Sequence, residues 1–283
     1  MIALQAGDWR AALDPTLGGS ILNLSWRGRP VLRPTPTGAD HPLQAACFPL
    51  VPYANRIAGG RFGFGGRAFD VGATPGFEPH ALHGLGWRGA WTVEATEAAT
   101  ARLAFRHGGG GAWPWAFAAE QRIALSEAGL TVVLTLANTD AEPAPAGVGL
   151  HPYLHREAGD RLTLDAPEVW LADETLIPRD RVPAGRLVDW REGAALDGAP
   201  FVDNAYEGWD GVARLAHAGW TATLSAPGAS RVHVYAPQGA DFVCVEPVSH
   251  RPDALNAPAG EATGLAVLQP GERLSLTMTV GAG

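Results

Sequence analysis

The chain reads as an all-β fold, a large antiparallel sandwich or barrel, on three observations. Apolar residues recur with period two, most plainly in Leu130-Thr131-Val132-Val133-Leu134-Thr135-Leu136. No window of about 12 residues carries an amphipathic helix with caps. Thirty-six glycines and 23 prolines break the apolar runs at turn spacing.

Taken in order, alternation in Ile-Leu-Asn-Leu-Ser-Trp predicts a first strand over residues 21–26, and Ala-Arg-Leu-Ala-Phe-Arg a second over 101–106. Residues 122–125 and 130–136 predict a hairpin closed by Ser126-Glu127-Ala128-Gly129. Further strands follow at 161–164, 220–225, 231–235, 242–245 and 273–280, where β-branched, aromatic and leucine residues alternate with polar ones or run together as a core strand does. Residues 203–206 and 209–211, rich in Asp, Asn and Gly, read first as turn formers, a loop with an aromatic wall. The glycine-rich tracts 59–66 and 108–111 have no helix after them, so they read as tight turns and not as phosphate cradles.

Composition narrows the function. With 283 residues, 46% hydrophobic and 18% charged, the chain can bury a large core, and with no linker residues 1–283 read as a single domain. A net charge of -8 without basic clusters argues against nucleic acid or an anionic membrane as partner and for a neutral small molecule. All 21 basic residues are arginines. That removes Schiff-base chemistry, pyridoxal phosphate attachment and the P-loop lysine. Cys47 and Cys244 form no CxxC pair, so neither a disulfide framework nor a cysteine-based zinc site is expected, and both read as buried thiols. His80/His83 and His151/His155 have ligand-like spacings, but on extended chain the latter pair lies roughly 13 Å apart, so no metal is expected. With neither an N-terminal targeting pattern nor an apolar run of about 18 residues, a cytoplasmic location is expected.

One tract is chemically conspicuous. Val243-Cys244-Val245-Glu246-Pro247 sets a lone carboxylate in an apolar strand, and a desolvated carboxylate must be neutralised, hydrogen-bonded or used as a base. Three other tracts supply partners: Pro52-Tyr53-Ala54-Asn55-Arg56-Ile57, Leu82-His83-Gly84 and Gly149-Leu150-His151-Pro152-Tyr153. Each histidine, alone, reads first as a structural hydrogen-bonded residue, and it is their company beside Gly or Pro at strand ends that points to proton transfer. Arg56 reads equally as half of an ion pair or as a ligand for hydroxyls. Ten tryptophans offer flat apolar faces of the kind that pack on sugar rings, with Trp87, Trp91 and Trp209 nearest the polar candidates.

Together, PYANRIAGGRF, LHGLGW, GLHPYLH and VCVEPVSHRPDALN, in that order, resemble the aldose 1-epimerase (mutarotase) family over most of the chain. The resemblance implies a β-sandwich of galactose-mutarotase type, a monosaccharide substrate and no cofactor. It implies Glu246 as general base, His151 as general acid, and Arg56, His83, Asp203 and Asn55 as substrate-binding residues. Two alternatives stay open: a hexose-6-phosphate mutarotase, with Arg61, Arg67 or Arg88 meeting the phosphate, and a sugar-binding module of the same fold without turnover. The preferred aldose and the oligomeric state are not written in these motifs.

Overall fold

The computed structural model describes residues 1–283. Its regular structure is almost wholly β-strand, with only four three-residue 3₁₀ turns as helical structure. Two large sheets dominate, one of twelve strands and one of nine. Their facing sides share one core of 58 buried residues, to which Leu13, Leu24, Val234 and Val245 come from the first sheet and Leu103, Val132, Leu215 and Met278 from the second. Truncating a large side chain in such a core costs about 2–5 kcal/mol.

The predicted strands are all present, most of them longer than their alternation suggested. The hairpin pairs Ala116–Ser126 with Gly129–Asn138, closing at Ser126 opposite Gly129. Arg161–Leu164 and Trp220–Ser225 have the predicted bounds, and the strand predicted at 242–245 runs on as Phe242–Val248. Gly65 and Gly66 both have positive φ between Arg61–Phe64 and Arg67–Asp70, the backbone that a two-residue hairpin turn requires.

One prediction is overturned. Residues 203–206 are not loop but lie within the strand Val202–Glu207, held along its length against Arg231–Ala236. The turn-forming Asn204 instead gives its side-chain amide to the carbonyl of Trp170 on the next strand, so ladder pairing overrides local propensity. The N-terminal strands Ile2–Ala6 and Trp9–Asp14 escaped prediction because alanine, a weak strand former, fills much of both.

The twelve-stranded sheet positions the site. Along Phe242–Val248, Val243 and Val245 enter the main core, whereas Cys244 and Glu246 face the other way. Antiparallel register extends that second face sideways. Tyr153 and Tyr235 lie opposite Cys244, Asp203 opposite Tyr235, and His233 opposite Glu246. A second, smaller apolar cluster, including Phe48, Trp87, Tyr153 and Cys244, supports this face.

Candidate active site

Two short segments close over this face. Arg56–Ile57 pairs with Ala81–Leu82, and the residues flanking that bridge, Asn55 and His83, both have φ of 58°. Left-handed backbone is uncommon for non-glycine residues and needs local compensation. Here the Asn55 N–H donates to His83 Nδ1 at 3.0 Å, while the His83 N–H donates to the Asn55 carbonyl at 2.9 Å. Because Nδ1 accepts, the network assigns the ring proton to Nε2. Burial, then the charges of His151 and Arg56, push the His83 pKa well below the usual histidine value, so the ring is a neutral donor.

Asn55, Arg56, Asp203 and His233 form a closed ring of polar contacts. The Asn55 side-chain oxygen accepts from the Arg56 backbone N–H at 2.9 Å and from Arg56 Nη1 at 3.3 Å. Its amide group faces His233 Nδ1 at 3.3 Å, and His233 Nε2 faces Asp203 Oδ1 at 2.6 Å. Arg56 Nη2 completes the ring, 3.6 Å from Asp203 Oδ2. Burial opposes the charge on Asp203, but the hydrogen bond and charge of His233, with the charge of Arg56, outweigh it and hold the carboxyl below the usual carboxylate range. Asp203 is thus a fixed anion that can accept hydroxyl protons.

Beside this ring, His151 Nε2 lies 3.3 Å from Glu246 Oε1. The imidazole is stacked on Tyr153 at 4.7 Å and tilted against Phe48 at 4.5 Å, which sets its plane. Burial is the largest influence on both groups. It pushes His151 down to about 3 and raises Glu246 well above the usual carboxylate value, the latter reinforced by the negative charge of Asp203 and opposed by Arg56. The neutral His83 takes no part in restraining that rise. Glu246 Oε2 is buried without a hydrogen-bond partner, as is His151 Nδ1.

All six sequence-predicted site residues line one cavity of about 400 Å³, within the range of about 300–1,000 Å³ usual for small-molecule sites. The tryptophans do not reach it. Trp87, Trp91 and Trp209 are buried, and the aromatic walls are Phe77, Tyr153, Phe201, Tyr235 and Phe242. Trp87 acts indirectly, its ring meeting that of His83 edge-on at 5.7 Å. Sequence reasoning also missed His233 and Arg33, both of which line the cavity. Arg61 and Arg67 are exposed and paired with Asp70 and Glu142, and none of Arg61, Arg67 and Arg88 lines the cavity.

The fold has counterparts in known proteins. A solved structure from Escherichia coli K12, described as a candidate aldose 1-epimerase, superimposes with a TM-score of 0.89 at 29% identity over 99% of this chain and 98% of that one. A galactose mutarotase-like protein from Clostridium acetobutylicum shares the fold, with a TM-score of 0.89 at 17% identity over 99% of this chain and 94% of the other. In sequence the chain is 31% identical to the uncharacterized Escherichia coli K12 protein YphB over 282 residues, 95% of this chain and 94% of YphB. The family model for aldose 1-epimerase matches residues 1–281, and the chain belongs to the aldose 1-epimerase family.

Proposed function

We propose that the protein is a cofactor-independent aldose 1-epimerase, interconverting the α and β anomers of an aldose by opening and reclosing the ring. The observation that carries this reading is the buried Glu246–His151 pair, 3.3 Å apart, with the second oxygen of Glu246 unpartnered. A buried acceptor without a donor costs roughly 1–3 kcal/mol, which a substrate hydroxyl relieves.

Burial disfavours charge on both members, so the pair retains one proton between them, and its titration belongs to the pair. With that proton on His151, the pair is a carboxylate base beside an imidazolium acid. Glu246 takes the proton of the C1 hydroxyl while His151 protonates the ring oxygen. The C1–O5 bond breaks and C1 becomes the aldehyde carbon. Rotation about C1–C2 presents the other carbonyl face, and the same proton movements run backwards on closure. His83 Nε2–H, Asp203, Arg56 and Asn55 hold the remaining hydroxyls. Two positioned proton transfers at about 10²–10⁴-fold each suffice for a reaction that sugars undergo unaided in water.

Asp203 is a second carboxylate in the same cavity, which raises the question of glycoside hydrolysis. That chemistry needs one carboxyl protonated as general acid. Asp203 is not that acid, being held ionised by His233 and Arg56. With His233 on one oxygen and Arg56 beside the other, it is engaged as a binding group and not free as a nucleophile.

The test follows optical rotation of freshly dissolved α-D-galactose and α-D-glucose, with chelator present, for wild type and Glu246→Gln. Acceleration by wild type and its loss by about 10²-fold or more in the variant are expected. Sugar binding without acceleration by wild type would instead identify a binding module.

A further inference from the structure

Arg33 stands apart from every other charged group in the cavity. Arg56 is neutralised by Asp203, but no carboxylate lies within ion-pair distance of Arg33. The residue is nevertheless rigid. Nη2 donates to the carbonyls of Leu43 and Ala45, both at 2.7 Å. Its guanidinium lies 3.8 Å from the ring centre of Tyr153 and 4.6 Å from that of Phe242, so two aromatic walls of the cavity grip it. Nε is buried with no partner at all.

Two carbonyls explain why Nη2 is where it is. They do not explain a full, fixed positive charge lining a sugar cavity, nor a buried donor left without an acceptor. Neutral hydroxyls are served by the neutral or ion-paired groups around Glu246. With Nη2 committed to the two carbonyls, Nη1 is left without a partner, and a fixed guanidinium with a free donor suits an oxyanion.

We propose that the substrate is an aldose bearing an anionic group, a carboxylate or a phosphate, at the end remote from C1, and that Arg33 receives that group. This rests on the epimerase reading and deepens it. The placement follows from the strand. Phe242, Cys244 and Glu246 alternate on one face, and Arg33 covers Phe242 and the Tyr153 that lies opposite Cys244. At about 3.3 Å per residue, those positions lie two to four residues, about 7–13 Å, from Glu246. With Glu246 at C1, Arg33 stands at the other end of a hexopyranose. The charge of Arg33 is also felt within the site, where it helps hold the His151 ring neutral.

The decisive experiment measures anomerisation by exchange NMR for galactose and glucose, galacturonate and glucuronate, and glucose 6-phosphate, with wild type and Arg33→Met. Wild type should turn over a uronate or the sugar phosphate with kcat/KM at least about tenfold above the neutral sugars, a preference that added salt reduces. Arg33→Met should cost the anionic substrate at least about tenfold more than it costs the neutral one. Which anion gains more separates carboxylate from phosphate. Equal rates on neutral and anionic sugars overturn the inference while leaving the epimerase reading intact, and if the variant does not fold this wild-type comparison decides alone. If no sugar is accelerated, the epimerase reading fails. Calorimetry then decides: tighter binding of an anionic than of a neutral sugar sustains the Arg33 site, and no such difference overturns it.

Discussion

In the proposed reaction Glu246 meets opposed demands from chemistry and from folding. Burial raises its folded-state pKa above that of the unfolded chain, so its ionisation costs the native state, and that cost appears as pH rises through the folded value. Glu246→Gln removes the titration. The variant should therefore melt at a higher temperature than wild type near about pH 8, with the difference closing near about pH 5, while losing turnover. Equal melting temperatures at the higher pH would mean that the carboxylate is not strained by its surroundings. The working pair holds one proton, whose loss the raised Glu246 value governs, so wild-type turnover should fall with base at a pH above the ordinary carboxylate value of 4.5. His233 acts one step further out. It touches Asp203 at 2.6 Å and receives the Asn55 amide, so it positions the anion. Removing a charge-assisted hydrogen bond costs about 1.5–3 kcal/mol, so His233→Phe should lower kcat/KM by roughly 10–100-fold, mainly through KM, and leave the alkaline limb of the Glu246–His151 pair in place. A displaced alkaline limb, or an unchanged KM, would contradict a positioning role.

Among the elements, the paired segments at 55–57 and 81–84 depend on backbone that few residues adopt. Gly84 has φ of +70°, and a Cβ there would lie 2.3 Å from the carbonyl oxygen of Val51, to which Gly84 is bridged. Left-handed backbone costs a non-glycine residue roughly 1–2 kcal/mol before any clash is counted, so Gly84→Ala should lose more than that in urea unfolding. Turnover should fall further than stability does, because the adjoining His83 moves with the backbone. Full activity in a destabilised Gly84→Ala would show that His83 is placed by other contacts. These segments also show what the sequence reveals. Glu246, His83 and His151 stood out because a polar group beside glycine or proline interrupts an apolar run. Asp203 did not, since Val-Asp-Asn-Ala-Tyr-Glu has turn composition and only the family resemblance singled it out. His233 was hidden in Arg-Val-His-Val-Tyr. Its alternation separates two faces, but which face meets Glu246 is decided by register with Phe242–Val248, a long-range pairing absent from local pattern. Arg33 follows an apolar pair and precedes proline, with no polar company to mark it.

At the scale of the molecule, the interior holds histidines whose charging the fold resists. His83, His151 and His250 are buried, with pKa values depressed chiefly by desolvation, that of His250 to about 4. In the unfolded chain each returns to about 6.5. Below that value the unfolded state binds protons that the native state refuses, so stability is present above about pH 6.5 and is lost as pH falls toward the folded values. At about 1.4 kcal/mol per pH unit, one fully suppressed histidine gives up as much as about 2 kcal/mol between pH 6.5 and 5. Glu246 works in the opposite sense, but one group opposes three. Three such losses, less an opposing contribution of similar size from Glu246, leave about 4 kcal/mol, a large part of the total of about 5–15 kcal/mol that holds a typical domain folded. The protein should therefore become steeply less stable to urea between about pH 7 and 5, where ordinary carboxylates are still ionised. Urea midpoints that stay level or rise across that interval would mean that the histidines gain protons inside the fold. The neutral His83 donor and the single-proton Glu246–His151 pair would then both have to be reassigned. Stability and chemistry thus share one cause, a site dry enough to keep imidazoles uncharged until a substrate supplies the partner.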